Sequence, residues 1–168
     1  MRTFVAVLMI TLTAVTAQAR SPQSDKADEQ AIRALFDHFS AAIAARDLNA
    51  IMALYSPHVV AFDAFPPREY NGAAAYRKDY EGFFAAYPGP VQSHVSDTVV
   101  KVVGSVAYAY GVDHWTVTDA QHKKTEMTFR FTDVFTKENG KWLVVHEHVS
   151  FPVDPATGVA DFTSKPRQ

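Results

Sequence analysis

Four ionisable side chains, Asp63, His114, Asp133 and Glu147, each interrupt a run in which apolar residues alternate. Alternate side chains of a strand share a face. Leu143, Val145, Glu147, Val149 and Phe151 therefore form one face of a last strand, and Met127, Phe129, Phe131, Asp133 and Phe135 one face of the strand before it. Val59, Ala61, Asp63 and Phe65 form a third such row, and Tyr108, Tyr110, Val112, His114 and Thr116 a fourth. A lone ionisable group among hydrophobes is costly unless it is paired, hydrogen-bonded or neutral. Four of them imply a shared apolar cavity. There, burial alone can raise a carboxyl pKa by about 3 to 5 pH units, and like charges titrate as a coupled set. One acid can then stay neutral and donate a hydrogen bond while another stays ionised and takes a proton. Removal of a proton next to a carbonyl, giving isomerisation, cyclisation or dehydration, follows without any cofactor. Asp63 is the expected base, with Asp133, Glu147 and His114 as proton donors or orienting groups. The competing arrangement pairs Glu147 with Arg130 or His114 and Asp133 with a lysine, and fills the space with Tyr76, Tyr80 and Phe84.

The elements that must carry these groups follow from periodicity and punctuation. Ile32, Leu35, Phe36, Phe39 and Ile43 recur at helical spacing over 25–46, and Asp47 can cap a short second helix from Leu48 to Tyr55 that Pro57 stops. A strand from Val59 to Phe65 ends at Pro66-Pro67, and Asn71-Gly72 opens a third helix reaching about Tyr87. On it Tyr76, Tyr80 and Phe84 stand four apart and so line up on one face. Strands are expected at 91–103, 106–118, 126–136 and 141–151, joined by Gly104-Ser105, a turn at 119–123 and Glu138-Asn139-Gly140, which is an antiparallel meander. The expected fold is α+β: three N-terminal helices packed on a curved, mostly antiparallel sheet that encloses a pocket. Phe39, Tyr55, Tyr76, Tyr80, Phe84, Tyr108, Tyr110, Phe131 and Val149 are its expected ligand-binding lining, suited to a small apolar molecule.

Composition narrows the partners. Arg2, the apolar stretch from Phe4 to Val15 and Ala17-Gln18-Ala19 read as a signal peptide over residues 1–19, which places the protein in a secreted or periplasmic compartment with no membrane attachment after cleavage. Residues 20–153 make one domain, and 154–168 a C-terminal tail. With no cysteine, stability must come from a packed core, and thiol chemistry is excluded. A net charge of −2 without a basic run argues against nucleic acid as a partner. His146 and His148 point the same way on the last strand and, with His94, could hold a metal. The preferred reading has no metal and puts both, with Trp142 and Ser150, on an outer sheet face that forms a homodimer with Arg130 and Thr132.

The stretches DLNAIMALYSPHVVAFD and NGKWLVVHEHVS, with the helix start at Gly72, resemble the nuclear transport factor 2-like superfamily, within it the SnoaL-like and ketosteroid isomerase-like branch, and the association domain of calcium/calmodulin-dependent protein kinase. The resemblance implies a cone-shaped fold with a pocket between helices and sheet, and a dimer. Asp63 matches the isomerases' catalytic base, nine residues before the glycine matched by Gly72; their oxyanion tyrosine falls on Phe39, and their protonated aspartate near Thr132 or Asp133. The arginines lining the kinase domain's pocket match Val112, Asp133 and Val149. The resemblance thus implies either a cofactor-independent isomerase, cyclase or lyase, or a non-catalytic ligand-binding or oligomerisation module.

Overall fold

A computed structural model describes residues 22–163. The signal peptide expected at 1–19 lies outside the described residues. Three helices, α1 (Pro22–Ala45), α2 (Leu48–Met52) and α3 (Ala73–Ala86), are combined with six strands, β1 (Tyr55–Phe62), β2 (Tyr70–Asn71), β3 (Val91–Val103), β4 (Val106–Thr118), β5 (Lys124–Glu138) and β6 (Lys141–Ser150). The strands form one sheet in the order β2-β1-β6-β5-β4-β3, antiparallel throughout except for the parallel pair β1 and β6. The short turns joining β3 to β6 allow only antiparallel neighbours. The return from β1 to β6 needs the long excursion through α3 and four strands.

The helices are fixed by local chemistry. The Asp47 side chain accepts hydrogen bonds from the Asn49 and Ala50 N–H groups at 3.0 Å, the cap that starts α2. Gly72 starts α3 at φ 85°, a conformation that costs glycine nothing, and its N–H donates to the Val59 carbonyl at 2.7 Å. Arg46 ties the ends of α1 and α3 together: its guanidinium donates to the carbonyls of Tyr87 at 2.8 Å and Gly89 at 3.0 Å and lies over the Phe84 ring. The Tyr87 carbonyl at the end of α3 would otherwise lack a donor. Both helices are thereby anchored above the concave face of the sheet.

The core fills the space between helices and sheet, with Ile32, Ile43, Ile51, Val59, Tyr76 and Phe135 almost wholly buried. Two expectations about facing are corrected. On β4 the inward row is Ala107, Ala109, Gly111, Asp113, Trp115 and Val117, the opposite parity to the one expected; Tyr108 and Tyr110 are 43% and 47% exposed and stack on each other outside. Small residues are needed here because large ones come across from elsewhere. A Cβ at Gly111 would sit 3.0 Å from the Phe131 ring and 2.8 Å from the Ser96 carbonyl oxygen. On β6, pairing with β5 skips one residue, from Val134↔His146 to Phe135↔Val144. This bulge exchanges the faces of everything before it. Trp142 and Val144 therefore lie inside, and the Trp142 indole N–H donates to Asp28 Oδ1 at 2.9 Å, not into an outer face. Beyond β6, Val153 bridges to Ala160 and Phe162 returns to pack on Phe151, its carbonyl accepting from the Thr128 N–H.

Candidate active site

A cavity of about 470 Å³ opens between α1, α3 and the concave sheet. Its walls are aromatic, and its polar groups are mainly carboxylates and tyrosine hydroxyls. Asp63, Asp133 and Glu147 all line it, as do Phe39, Tyr55, Tyr76, Tyr80, Phe131 and Val149. Glu147 follows the β6 bulge and so returns to the inner face, directly opposite Asp133 of β5 in the ladder and opposite Ala61 of β1. Asp63 continues the inward row of β1 just past the strand's end, with Oδ1 held by the Phe65 N–H at 2.9 Å.

Three tyrosines join these acids. Tyr55 donates to Glu147 Oε2 at 2.8 Å and touches the Tyr80 hydroxyl at 3.3 Å; the Tyr76 hydroxyl is hydrogen-bonded to Glu147 Oε1 and stands 3.3 Å from Asp63 Oδ2. The α3 spacing that aligned Tyr76 with Tyr80 puts both hydroxyls over this end of the cavity. Tyr76 carries one hydroxyl hydrogen and meets two carboxylates. It can donate to one while accepting from the other, provided the other is protonated.

The electrostatics favour that arrangement. Burial pushes the Asp63 carboxyl up to about 6, although the Phe65 N–H and Tyr76 hydroxyl pull it down. Burial raises Glu147 to about 7 against the bonds from Tyr76 and Tyr55. Asp133 is pushed well above the usual carboxylate range by burial, then by the charges of Glu147 and Asp113. Burial, then the charge of Glu147, keeps Tyr55, Tyr76 and Tyr80 protonated. Between about pH 6 and about pH 7 the pair Asp63 and Glu147 therefore holds about one proton between them, at sites bridged by Tyr76.

Two carboxylates were missed by the sequence reading. Asp113 lines the cavity on β4, its oxygens accepting from the Trp115 indole N–H at 2.6 Å and from Ser93 Oγ at 2.8 and 3.0 Å. Burial raises it too, with those donors opposing. The signal was an acid two residues before a tryptophan on the face of small residues, overlooked because the tyrosines of the other face looked more like core. Asp79 on α3 accepts from the Tyr70 hydroxyl at 2.6 Å and also lines the cavity.

Several expected site residues lie elsewhere. His114 is on the outer face, its Nδ1 3.1 Å from Thr128 Oγ1, because the β4 parity is reversed. Tyr108 and Tyr110 are outside for the same reason. Phe84 is buried under the Arg46 guanidinium, not in the cavity wall. Arg130 also points outward, donating to Ser150 Oγ and the Phe151 carbonyl, so it does not pair with Glu147. His146 Nδ1 lies 2.8 Å from the Val60 carbonyl, and the Phe62 ring packs edge-on against His146 and His148. Among the described residues no three His, Asp or Glu side chains are grouped so as to hold a metal ion.

Residues 32–154 match the SnoaL-like domain family. Among solved structures the chain is similar to an NTF2-like protein of unknown function from Pseudomonas putida, at 30% identity and a TM-score of 0.76 over 84% of this chain and 98% of that one. It is also similar to a Xanthomonas campestris protein described as a calcium/calmodulin-dependent protein kinase II association domain, at 26% identity and a TM-score of 0.65 over 83% and 96% of the two chains. A nuclear transport factor 2-like superfamily protein from Salmonella enterica shares the fold at 20% identity and a TM-score of 0.70, over 79% and 96%. No curated protein matches the chain. The extent of the family match, the agreement with these structures and the open sheet under three helices give one conclusion: the chain belongs to the SnoaL-like domain family, within the NTF2-like superfamily.

Proposed function

We propose that this protein is a cofactor-free acid–base catalyst acting on a small, largely apolar carbonyl compound held in the cavity. The observation that carries the reading is the chain Asp63–Tyr76–Glu147, a half-buried and a buried carboxyl joined by one hydroxyl inside an apolar wall. With Asp63 near 6 and Glu147 near 7, the first is the base and the second holds a proton at the same pH. Asp63 takes a proton from the carbon next to the carbonyl. Glu147, acting through Tyr55 or Tyr76, returns one to the developing oxygen or leaving group, and Tyr76 passes the proton between the two acids to reset the site. Isomerisation, cyclisation and dehydration share this step. The residue 1–19 pattern supports export, to a secreted or periplasmic location. The exposed Tyr108, Tyr110 and Phe62 support a homodimer through the outer sheet face.

Asp63→Asn is the test. It keeps the acceptor for the Phe65 N–H and removes the base, so the maximal rate on a turned-over carbonyl compound falls by about 10²-fold or more with the melting temperature nearly unchanged. The second reading, a non-catalytic binding module, is favoured by the complete bonding of Glu147 to tyrosines; under it the same variant alters ligand affinity only.

A further inference from the structure

Asp133 differs from every other acid of the cavity. It is 4% exposed, lines the cavity, and accepts no hydrogen bond from any described residue, while Oδ1 is buried without a partner. Asp63, Asp79, Asp113 and Glu147 each have a side-chain donor. The titratable groups that face Asp133 are Glu147 on β6, Asp113 on β4 and Tyr55 on β1, all acidic. Lys78, exposed on α3, is the one cationic side chain among the described residues that line the cavity. A buried acid without a donor is destabilising whether charged or neutral. A ligand that brought its own donor and positive charge would relieve both deficits.

We propose that the occupant of the cavity is a small organic cation, an apolar body carrying a protonated amine that Asp133 receives. Phe39, Tyr80, Trp115, Phe129 and Phe131 line the same space, and aromatic faces attract a cation as well as an apolar body. An anionic ligand would share the cavity with five acidic side chains. Joined to the proposed chemistry, the substrate becomes a carbonyl compound with a basic amine; the inference rests on the cavity being a ligand site and not on turnover. Because burial and its acidic neighbours favour the neutral form of Asp133, the ammonium must hold it ionised, and binding releases a proton.

Calorimetry with 2-phenylethylammonium, 2-phenylethanol and phenylacetate tests the idea on the folded protein. The cation should bind at least about ten-fold more tightly than the alcohol, with affinity rising from about pH 5 to about pH 8, and phenylacetate should bind weakest. Asp133→Asn should remove the preference for the cation and leave the alcohol's affinity in place. Equal or tighter binding of the alcohol or of phenylacetate overturns the cation while leaving a ligand site standing. Binding by none of the three overturns both. Should Asp133→Asn not fold, the three-ligand ranking and its pH dependence in the natural protein decide alone.

Discussion

Glu147 and Asp113 line the same cavity, are both buried, and are both pushed up by burial, yet their donors differ in kind. Asp113 accepts from an indole N–H and from Ser93, which is itself 3.3 Å from Ser40. An indole is a donor only, and neither serine leads to a second carboxyl, so a proton on Asp113 has nowhere to go. Glu147 is hydrogen-bonded to two tyrosines, and one of these meets Asp63. Burial therefore makes an acid unusual, but connection to another titrating group makes it useful. The first end of the cavity is wired for proton transfer; the second is braced.

The sharpest way to break this contrast is Glu147→Gln. The glutamine keeps one acceptor for a tyrosine but cannot cycle a proton, so the rate should fall by about 10²-fold or more. The same variant has a signature that needs no substrate. Glu147 in the folded protein titrates at about 7 against an ordinary 4.5, so between those values the folded state holds more protons than the unfolded one. Stability from this group is present below about 4.5 and lost as pH rises through about 7, on the order of 3 kcal/mol, with Asp63 and Asp113 adding in the same direction. Urea unfolding should show the natural protein less stable at pH 8 than at pH 5 and the slope reduced in Glu147→Gln. A protein that gained stability across that interval would refute the buried, proton-holding state.

Asp113→Asn should behave oppositely. The amide nitrogen replaces an acceptor, leaving Trp115 Nε1 or Ser93 Oγ without its partner, at a cost of about 1 to 3 kcal/mol. The rate of any reaction run by Asp63 and Glu147 should hold. A large rate loss with unchanged stability would mean that the braced end takes part in proton transfer after all.

How far the sequence exposed this site depended on where strict alternation holds. On β5, Met127, Phe129, Phe131, Asp133 and Phe135 face inward as alternation predicts, and the Val59, Ala61, Asp63 row on β1 likewise leads into the cavity. Helix spacing gave Tyr76 and Tyr80, though not the bond of Tyr76 to Glu147 or of Tyr80 to Tyr55, because contacts between residues distant in the chain leave no local mark. Two strands were harder. A bulge on β6 reverses Trp142 and Val144 without any glycine to announce it. On β4 the apolar row of Tyr108, Tyr110 and Val112 faces out while Ala107, Ala109 and Gly111 face in, since packing against Phe131 and Ser96 at Gly111 limits size more than polarity. Hydrophobicity indicated that the strand had two faces; volume decided which one was inside.

The smallest expected effect tests that reversed parity. His114 shared its row with Tyr108 and Tyr110, and were the row inside, His114→Ala would open a void among the acids and disturb the rate. Outside, it removes one hydrogen bond to Thr128 on a partly exposed surface, worth less than about 1 kcal/mol. The rate and its pH profile should match the natural protein's, because no atom of His114 lines the cavity. Thr128 keeps water as an alternative partner. A shift of the pH profile in this variant would place an imidazole back among the titrating groups and undo the contrast between a wired and a braced end, since both ends are defined by the residues that point inward from β4 and β6.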